Sequence, residues 1–169
     1  MAKDVSPDTL PKIAFGGGCH WCTEAVFQAL SGVVETEQGF VASHAPNDSW
    51  SEAVVLHFDP NTIPLGVLIE VHLRTHASTA QHSMRGKYRS AIYTFSTSQS
   101  AQTQDILANL QPGFDAPLVT QILPFVAFKP SDSRFHDYYK SDLNRPFCRT
   151  YIDPKLAKLR KEFSGFTAE

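Results

Sequence analysis

Two cysteines stand three residues apart in Gly16-Gly17-Gly18-Cys19-His20-Trp21-Cys22, and a thiol so placed can act as a nucleophile toward sulfur. Ile13 to Phe15 is β-prone, while Trp21/Ala25/Gln28 and Cys22/Val26/Ala29 have helical spacing, so Cys19 falls where a strand turns into a helix. Backbone N–H groups and the positive end of a helix favour thiolate over thiol at such a point. Glycines there let another molecule come close to the backbone. Two inert buried thiols one turn apart are the plain alternative. Three successive glycines count against it, because they cost order and add no packing.

Glu52 is the candidate acid. It opens Ser51–Phe58, a run apolar on both faces, and shares a face with Val54, Leu56 and Phe58. A pleat that buries those three desolvates the carboxyl and raises its pKa. A fraying strand end would instead leave Glu52 in water, and from sequence alone that is the commoner case. Tyr88 opens a later predicted strand and would supply a phenolic donor beside Glu52 if the two strands are neighbours; a lone tyrosine is more often core. His72 and His76 stand at i and i+4 with His82 beyond, a spacing that can share a metal. That signal is weak, since Leu73, Arg74 and Thr75 intervene without a His-Glu-x-x-His pattern and there is no second Cys pair. His136 precedes Asp137-Tyr138-Tyr139, an aromatic segment whose default role is packing.

The elements that must position these residues follow from periodicity and breakers. A strand up to the glycines is followed by a helix to Leu30, which Ser31-Gly32 stops with Gly32 as left-handed cap. Val33–Ala42 and Ser51–Phe58 read as strands, Pro64–Arg74 as a helix and Ala77–Lys87 as a loop without period. Tyr88–Ser96 reads as a strand, Thr97–Leu110 as a helix and Val119–Lys129 as an extended region broken by Pro124. Helices are predicted around Asp132–Leu143 and Pro154–Phe163. Strand, helix, strand, strand, helix, strand is the split β-α-β order. The expected fold is α+β, a ferredoxin-like two-layer sandwich whose mixed or antiparallel sheet carries helices packed on it.

A chain of 169 residues with 42% hydrophobic content suits one core, and residues 1–169 are expected to form one domain with residues 1–11 as a flexible N-terminal segment. A net charge of −2 argues against nucleic acid as partner. The one basic cluster, Lys155, Lys158, Arg160 and Lys161, reads as a solvated helix face. No apolar run approaches the ~18 residues of a membrane span, and Met1–Pro11 lacks a signal-peptide core. A cytoplasmic setting is therefore expected, in which three cysteines read as redox chemistry more readily than as a disulfide framework.

Taken in order, Gly17-Gly18-Cys19-His20-Trp21, Gly39-Phe40, Ser51-Glu52-Ala53-Val54, Lys87-Tyr88-Arg89-Ser90-Ala91-Ile92-Tyr93, His136-Asp137-Tyr138-Tyr139 and Cys148 resemble the peptide methionine sulfoxide reductase A family, roughly from Lys12 to Phe163. The resemblance implies thiol-dependent reduction of methionine S-sulfoxide, free or protein-bound, in the repair of proteins after oxidative stress. It places the nucleophile on Cys19, the acid on Glu52, a hydroxyl donor on Tyr88 and an aromatic wall for the substrate methyl group on Trp21. Three substrate-pocket positions depart from the family pattern: His20 replaces Phe, Phe40 replaces Tyr and Ser83 replaces Asp. These changes bear on rate and substrate preference, and His20 makes the methyl pocket more polar.

The implied cycle leaves Cys19 as a sulfenic acid, which a second thiol converts to a disulfide for thioredoxin to reduce; no cofactor or metal is implied. Cys22 is the favoured resolving cysteine, since one helical turn puts the Cα atoms ~5 Å apart, within disulfide range. Cys148 matches a cysteine that some relatives use for this step. A monomer acting without nucleic acid or membrane is expected. Two other classes are compatible with the pattern: a thioredoxin-like dithiol exchanger using Cys19 and Cys22, and a metal module using Cys19, His20, Cys22 and His72 or His76.

Overall fold

The computed structural model describes residues 9–81, 85, 87–132 and 148–167. Its elements are β1 (Lys12–Gly16), α1 (His20–Gln28), β2 (Val33–Ala42), β3 (Ser51–Phe58), α2 (Leu65–Arg74), β4 (Ala91–Thr94), α3 (Thr97–Leu110), β5 (Gln121–Pro124), β6 (Ala127–Pro130) and α4 (Asp153–Glu162). The six strands form one sheet in the order β5-β4-β1-β3-β2-β6. Its four inner strands are antiparallel in the split β-α-β order, as expected. To them β5 adds a parallel edge beside β4 and β6 an antiparallel edge beside β2.

Both faces of β3 are covered, which is why the run is apolar throughout. Val54, Leu56 and Phe58 join Ile13, Phe15 and Ile92 under the helices, with Phe15 stacked on Phe27 at 4.9 Å. Ala53 and Val55 join Ala14, Val41, Ala91 and Tyr93 on the opposite face. That second face is concave. Only Phe125 and Val126 separate β5 from β6, which lie at opposite ends of the strand order. Phe125 N–H bonds Thr94 O and Val126 N–H bonds Ala42 O, so the sheet curls until its edges approach. Alanine at positions 14, 53 and 91 leaves room inside the curl.

Several boundaries differ from those read in the sequence. Helix α1 ends at Gln28 with Ala29 still helical as C-cap. Gly32 does adopt a positive φ of 98°, but in the turn that feeds β2 and not as the helix cap. The strand expected over Tyr88–Ser96 shrinks to Ala91–Thr94, because β1 stops at Gly16 opposite Ala91 and leaves the preceding residues no partner on that edge. The extended region 119–129 resolves into β5 and β6. The basic cluster is not simply solvated: Lys155 is half-buried and donates to Thr75 O, and Lys158 donates to Arg74 O at 2.7 Å. These cations satisfy carbonyls at the C-terminal end of α2 and dock α4 there. The predicted helix Asp132–Leu143 with His136, and also His82 and Ser83, lie outside the described residues. Among the described residues no helix is long and apolar enough to cross a membrane.

Candidate active site

The glycine run bends the chain from β1 into α1 within three residues. Gly17 has φ of +151°, and a Cβ on it would lie 2.5 Å from the His76 ring. Gly16 ends β1 in another tight place: a Cβ there would meet the carbonyl oxygens of Arg89 and Glu52, each at 2.9 Å. Those contacts show how the site closes. Past the end of β1, residues 87–89 cross over and bond directly to β3, with Glu52 N–H donating to Lys87 O at 2.9 Å. Ser51 Oγ accepts from Arg89 N–H at 2.8 Å and donates to Lys87 O at 3.0 Å. Tyr88 is therefore carried beside the start of β3 by a loop, although β3 and β4 are not neighbours.

Cys19 is the N-cap residue of α1 and is half-buried. The Cys22 thiol, one turn along, donates to its sulfur and holds the Cys19 thiol below its ordinary value. The N–H groups of Trp21 and Cys22 act in the same direction without making a full capping hydrogen bond, while burial and negative charge on Glu52 oppose them. A cavity of about 310 Å³ opens beside the sulfur, lined among others by Gly18, Cys22, Val26, Tyr88, Tyr151 and Lys155. Burial lowers the Lys155 ammonium from its usual value, and Cys22 and then Cys19 pull it back up.

Glu52 is 6% exposed, so it is not a solvated strand end. Its Oε1 accepts from the backbone N–H of His20 at 3.2 Å and stands 3.5 Å from His20 Nε2. Its Oε2 is 3.6 Å from Lys87 Nζ, which lies 5.1 Å over the Tyr88 ring. Phe40 is the cross-strand partner of Glu52 in the β2–β3 register, and its ring meets that of His20 edge-on at 5.3 Å. Trp21 follows on α1, half-buried, 6.4 Å from His20 between centroids. Cys19, His20, Trp21, Cys22, Phe40, Glu52 and Tyr88 thus gather at one end of β1, β2 and β3. Cys148 opens the helical turn Cys148–Ile152, and Tyr151 of that turn lines the cavity beside Cys19.

His72 and His76 lie on the other side of the glycines and serve as supports. His72 Nε2–H donates to Gly16 O at 2.7 Å, and the two rings stack at 4.2 Å. His76 bonds His72 O through Nδ1 and Ser90 Oγ through Nε2 at 2.9 Å, and Ser90 in turn meets Thr120 Oγ1. Among the described residues no three His, Cys, Asp or Glu side chains cluster as a metal centre requires. Arg85 had no sequence signal at all. Its guanidinium donates to Gly17 O at 2.9 Å and to Tyr88 O at 3.0 Å, tying the aperiodic loop to the glycine run. Tyr151 reaches the site because the C-terminal segment folds back beside Cys19.

A half-buried thiol at the N-cap position of α1 and a buried carboxyl meet at the end of a curled ferredoxin-like sheet, an α+β arrangement able to support thiol chemistry. The family described as peptide methionine sulfoxide reductase matches residues 11–166. A Thermus thermophilus protein named peptide methionine sulfoxide reductase MsrA is 32% identical, over 94% of this chain and 97% of its own length. Among solved structures, methionine sulfoxide reductase A of Corynebacterium diphtheriae is 24% identical with a TM-score of 0.67, covering 79% of this chain and 75% of that one. Mxr1 from Saccharomyces cerevisiae in complex with Trx2 is 19% identical with a TM-score of 0.62, covering 80% and 92%. The chain belongs to the peptide methionine sulfoxide reductase family, oxidoreductases of methionine sulfoxide.

Proposed function

We propose that this enzyme reduces methionine S-sulfoxide, free or in proteins, through a sulfenic acid on Cys19. The observation that carries the reading is the pairing of a thiol held below its ordinary value at a helix N-cap with a buried carboxyl one residue's contact away. Cys19 thiolate attacks the sulfoxide sulfur while Glu52 gives a proton to the oxygen, assisted by the Tyr88 hydroxyl. Methionine leaves and Cys19 carries the oxygen as –SOH. Trp21, Phe40 and His20 wall the substrate's methyl group, and the family pattern alone gives Ser83 a substrate-binding role.

Cys22 then attacks the sulfenic sulfur, releasing water and leaving a Cys19–Cys22 disulfide, with Cys148 as the other thiol able to serve. The hydrogen bond from Cys22 to Cys19 favours Cys22 for this step. Thioredoxin returns both thiols; a yeast relative in complex with Trx2 supports this choice of reductant. A simple dithiol exchanger would need no buried Glu52. The deciding measurement is thioredoxin-dependent reduction of the separate S and R epimers of a methionine sulfoxide peptide. Turnover of S alone is expected, and failure on both epimers with intact disulfide exchange would overturn the reading.

A further inference from the structure

Two contacts of His20 fix where its protons lie. Nδ1 stands 2.8 Å from the backbone oxygen of Gly39. A carbonyl oxygen only accepts, so Nδ1 carries a hydrogen whether the ring is neutral or charged. Neutral His20 therefore has its lone pair on Nε2, the atom 3.5 Å from Glu52 Oε1. A lone pair and a carboxylate facing each other in a buried site repel. One proton between them removes the repulsion, held either as imidazole with carboxylic acid or as imidazolium with carboxylate.

We propose that His20 and Glu52 hold one proton in common, and that His20 is the positioning residue that keeps it available for transfer to the sulfoxide oxygen. This rests on the reading of Glu52 as proton donor. In the reductive step the pair loses that proton to the oxygen, the sulfoxide S–O bond breaks and an S–O bond to Cys19 forms. Cys19 sulfur is oxidised by two electrons and the substrate sulfur is reduced by two. The pair regains its proton when the regenerated Cys19 thiol ionises for the next turnover.

The surroundings shield this proton from water. The His20 ring is 5% exposed and lies against Phe40 and Trp21. Among the described residues the charged or titratable groups near it include Glu52 from β3, Lys87 and Tyr88 from the segment before β4 and Cys19 on its own turn, while β2 contributes the Gly39 carbonyl and the Phe40 ring. Lys87 meets the other carboxylate oxygen and is exposed, so solvent screens it. Glu24, one turn along α1, is turned toward Gln38 and Thr36. The phenylalanine of the family pattern can hold no proton here, so the device is particular to chains with histidine at this position.

The first test is ¹⁵N NMR of the histidine rings against pH in wild type and Glu52→Gln. His20 should keep Nδ1–H throughout and titrate at Nε2, with a midpoint at least about one pH unit lower in the variant, where the counter-charge is gone. The second is single-turnover sulfoxide reduction by His20→Phe, expressed as a ratio to wild type. That ratio should fall by about tenfold or more between pH 6 and pH 8, since the variant has no second site to hold the shared proton. A neutral ring protonated on Nε2, an unchanged midpoint in Glu52→Gln, or a ratio independent of pH would each overturn the proposal. The NMR comparison needs no substitution at position 20, so it decides the matter even where His20→Phe does not fold. Slow turnover by Glu52→Gln beside a flat His20→Phe ratio defeats this inference alone, whereas full activity in Glu52→Gln defeats the assignment of Glu52 itself.

Discussion

His20 and His72 are buried alike, at 5% and 3% exposure, and each ring donates one hydrogen to the carbonyl of a glycine, Gly39 or Gly16. Their second nitrogens separate them. His20 Nε2 faces a carboxyl group, whereas His72 Nδ1 has no partner among the described residues. Burial above all, then the neighbouring His76, holds His72 well below the ordinary imidazole value, and burial pushes His76 down to about 4. Two histidine sites beside one cysteine therefore do different work. The pair at the C-terminal end of α2 stays neutral and holds the Gly16-Gly17 bend in shape, while the ring on α1 stands next to the Glu52 carboxyl.

The sharpest way to break this division is at the group both sides share. Cys19→Ser should reduce S-sulfoxide turnover to background with an unchanged far-UV spectrum, because a hydroxyl is a far weaker nucleophile toward sulfur. Measurable single-turnover reduction by this variant would remove Cys19 from the mechanism. On the acid side, Glu52→Gln should slow sulfenic acid formation by about 10²–10⁴-fold with little change in stability, since the amide keeps the shape but delivers no proton. Rapid-quench detection of the sulfenic acid reads this directly. A wild-type rate would return Glu52 to a packing role.

Cys22→Ser separates the two half-reactions. One equivalent of methionine should still form at the wild-type rate, but steady-state turnover with thioredoxin should drop by about tenfold or more. Peptide mapping after one turnover without reductant should show Cys19–Cys22; a Cys19–Cys148 bond, with Cys22→Ser recycled normally, would transfer the resolving role to Cys148. The smallest effect belongs to the supporting histidines and appears in stability. Unfolding frees His76 to bind a proton near the ordinary ~6.5, so its contribution is complete above that pH and is lost as pH falls toward 4. Urea unfolding should show a decline of about 2 kcal/mol from His76 between pH 7.5 and pH 5, which His76→Gln should abolish. An identical slope in the variant would mean that His76 is not neutral in the fold.

The parts of the site that were legible in the sequence are those carried by local pattern. The strand, glycines and helix around Cys19 sit where periodicity put them, and β2, β3 and α3 keep the predicted bounds. Glu52 had to be judged between burial and water, and its burial depends on β2 lying across from it, which no local signal records. Tyr88 was misplaced on a strand for a similar reason: its neighbour is set by where β1 stops, sixty and more residues earlier. Lys155 looked like one charge on a solvated face because helical spacing says nothing about the α2 carbonyls it meets. The curl of the sheet left a trace in the alanines of β1, β3 and β4, but a small residue on a strand does not say which way the sheet bends. His20 was legible as a polar intrusion or a metal ligand; its proton follows from the Gly39 carbonyl, nineteen residues away.

The place of β1 in the sheet has a consequence for synthesis. The strand leading to Cys19 is made first, yet its two edges are filled by residues 53–57 and 91–93. Until the ribosome has delivered both, the bend at Gly17 has nothing to hold it, and the amides that favour the thiolate are not aligned on the sulfur. A nascent chain therefore carries a thiol of ordinary, sluggish reactivity through most of its translation. On the reading of Cys19 as nucleophile, the order in which the sheet is completed delays the appearance of its reactive thiol until β4 has been made.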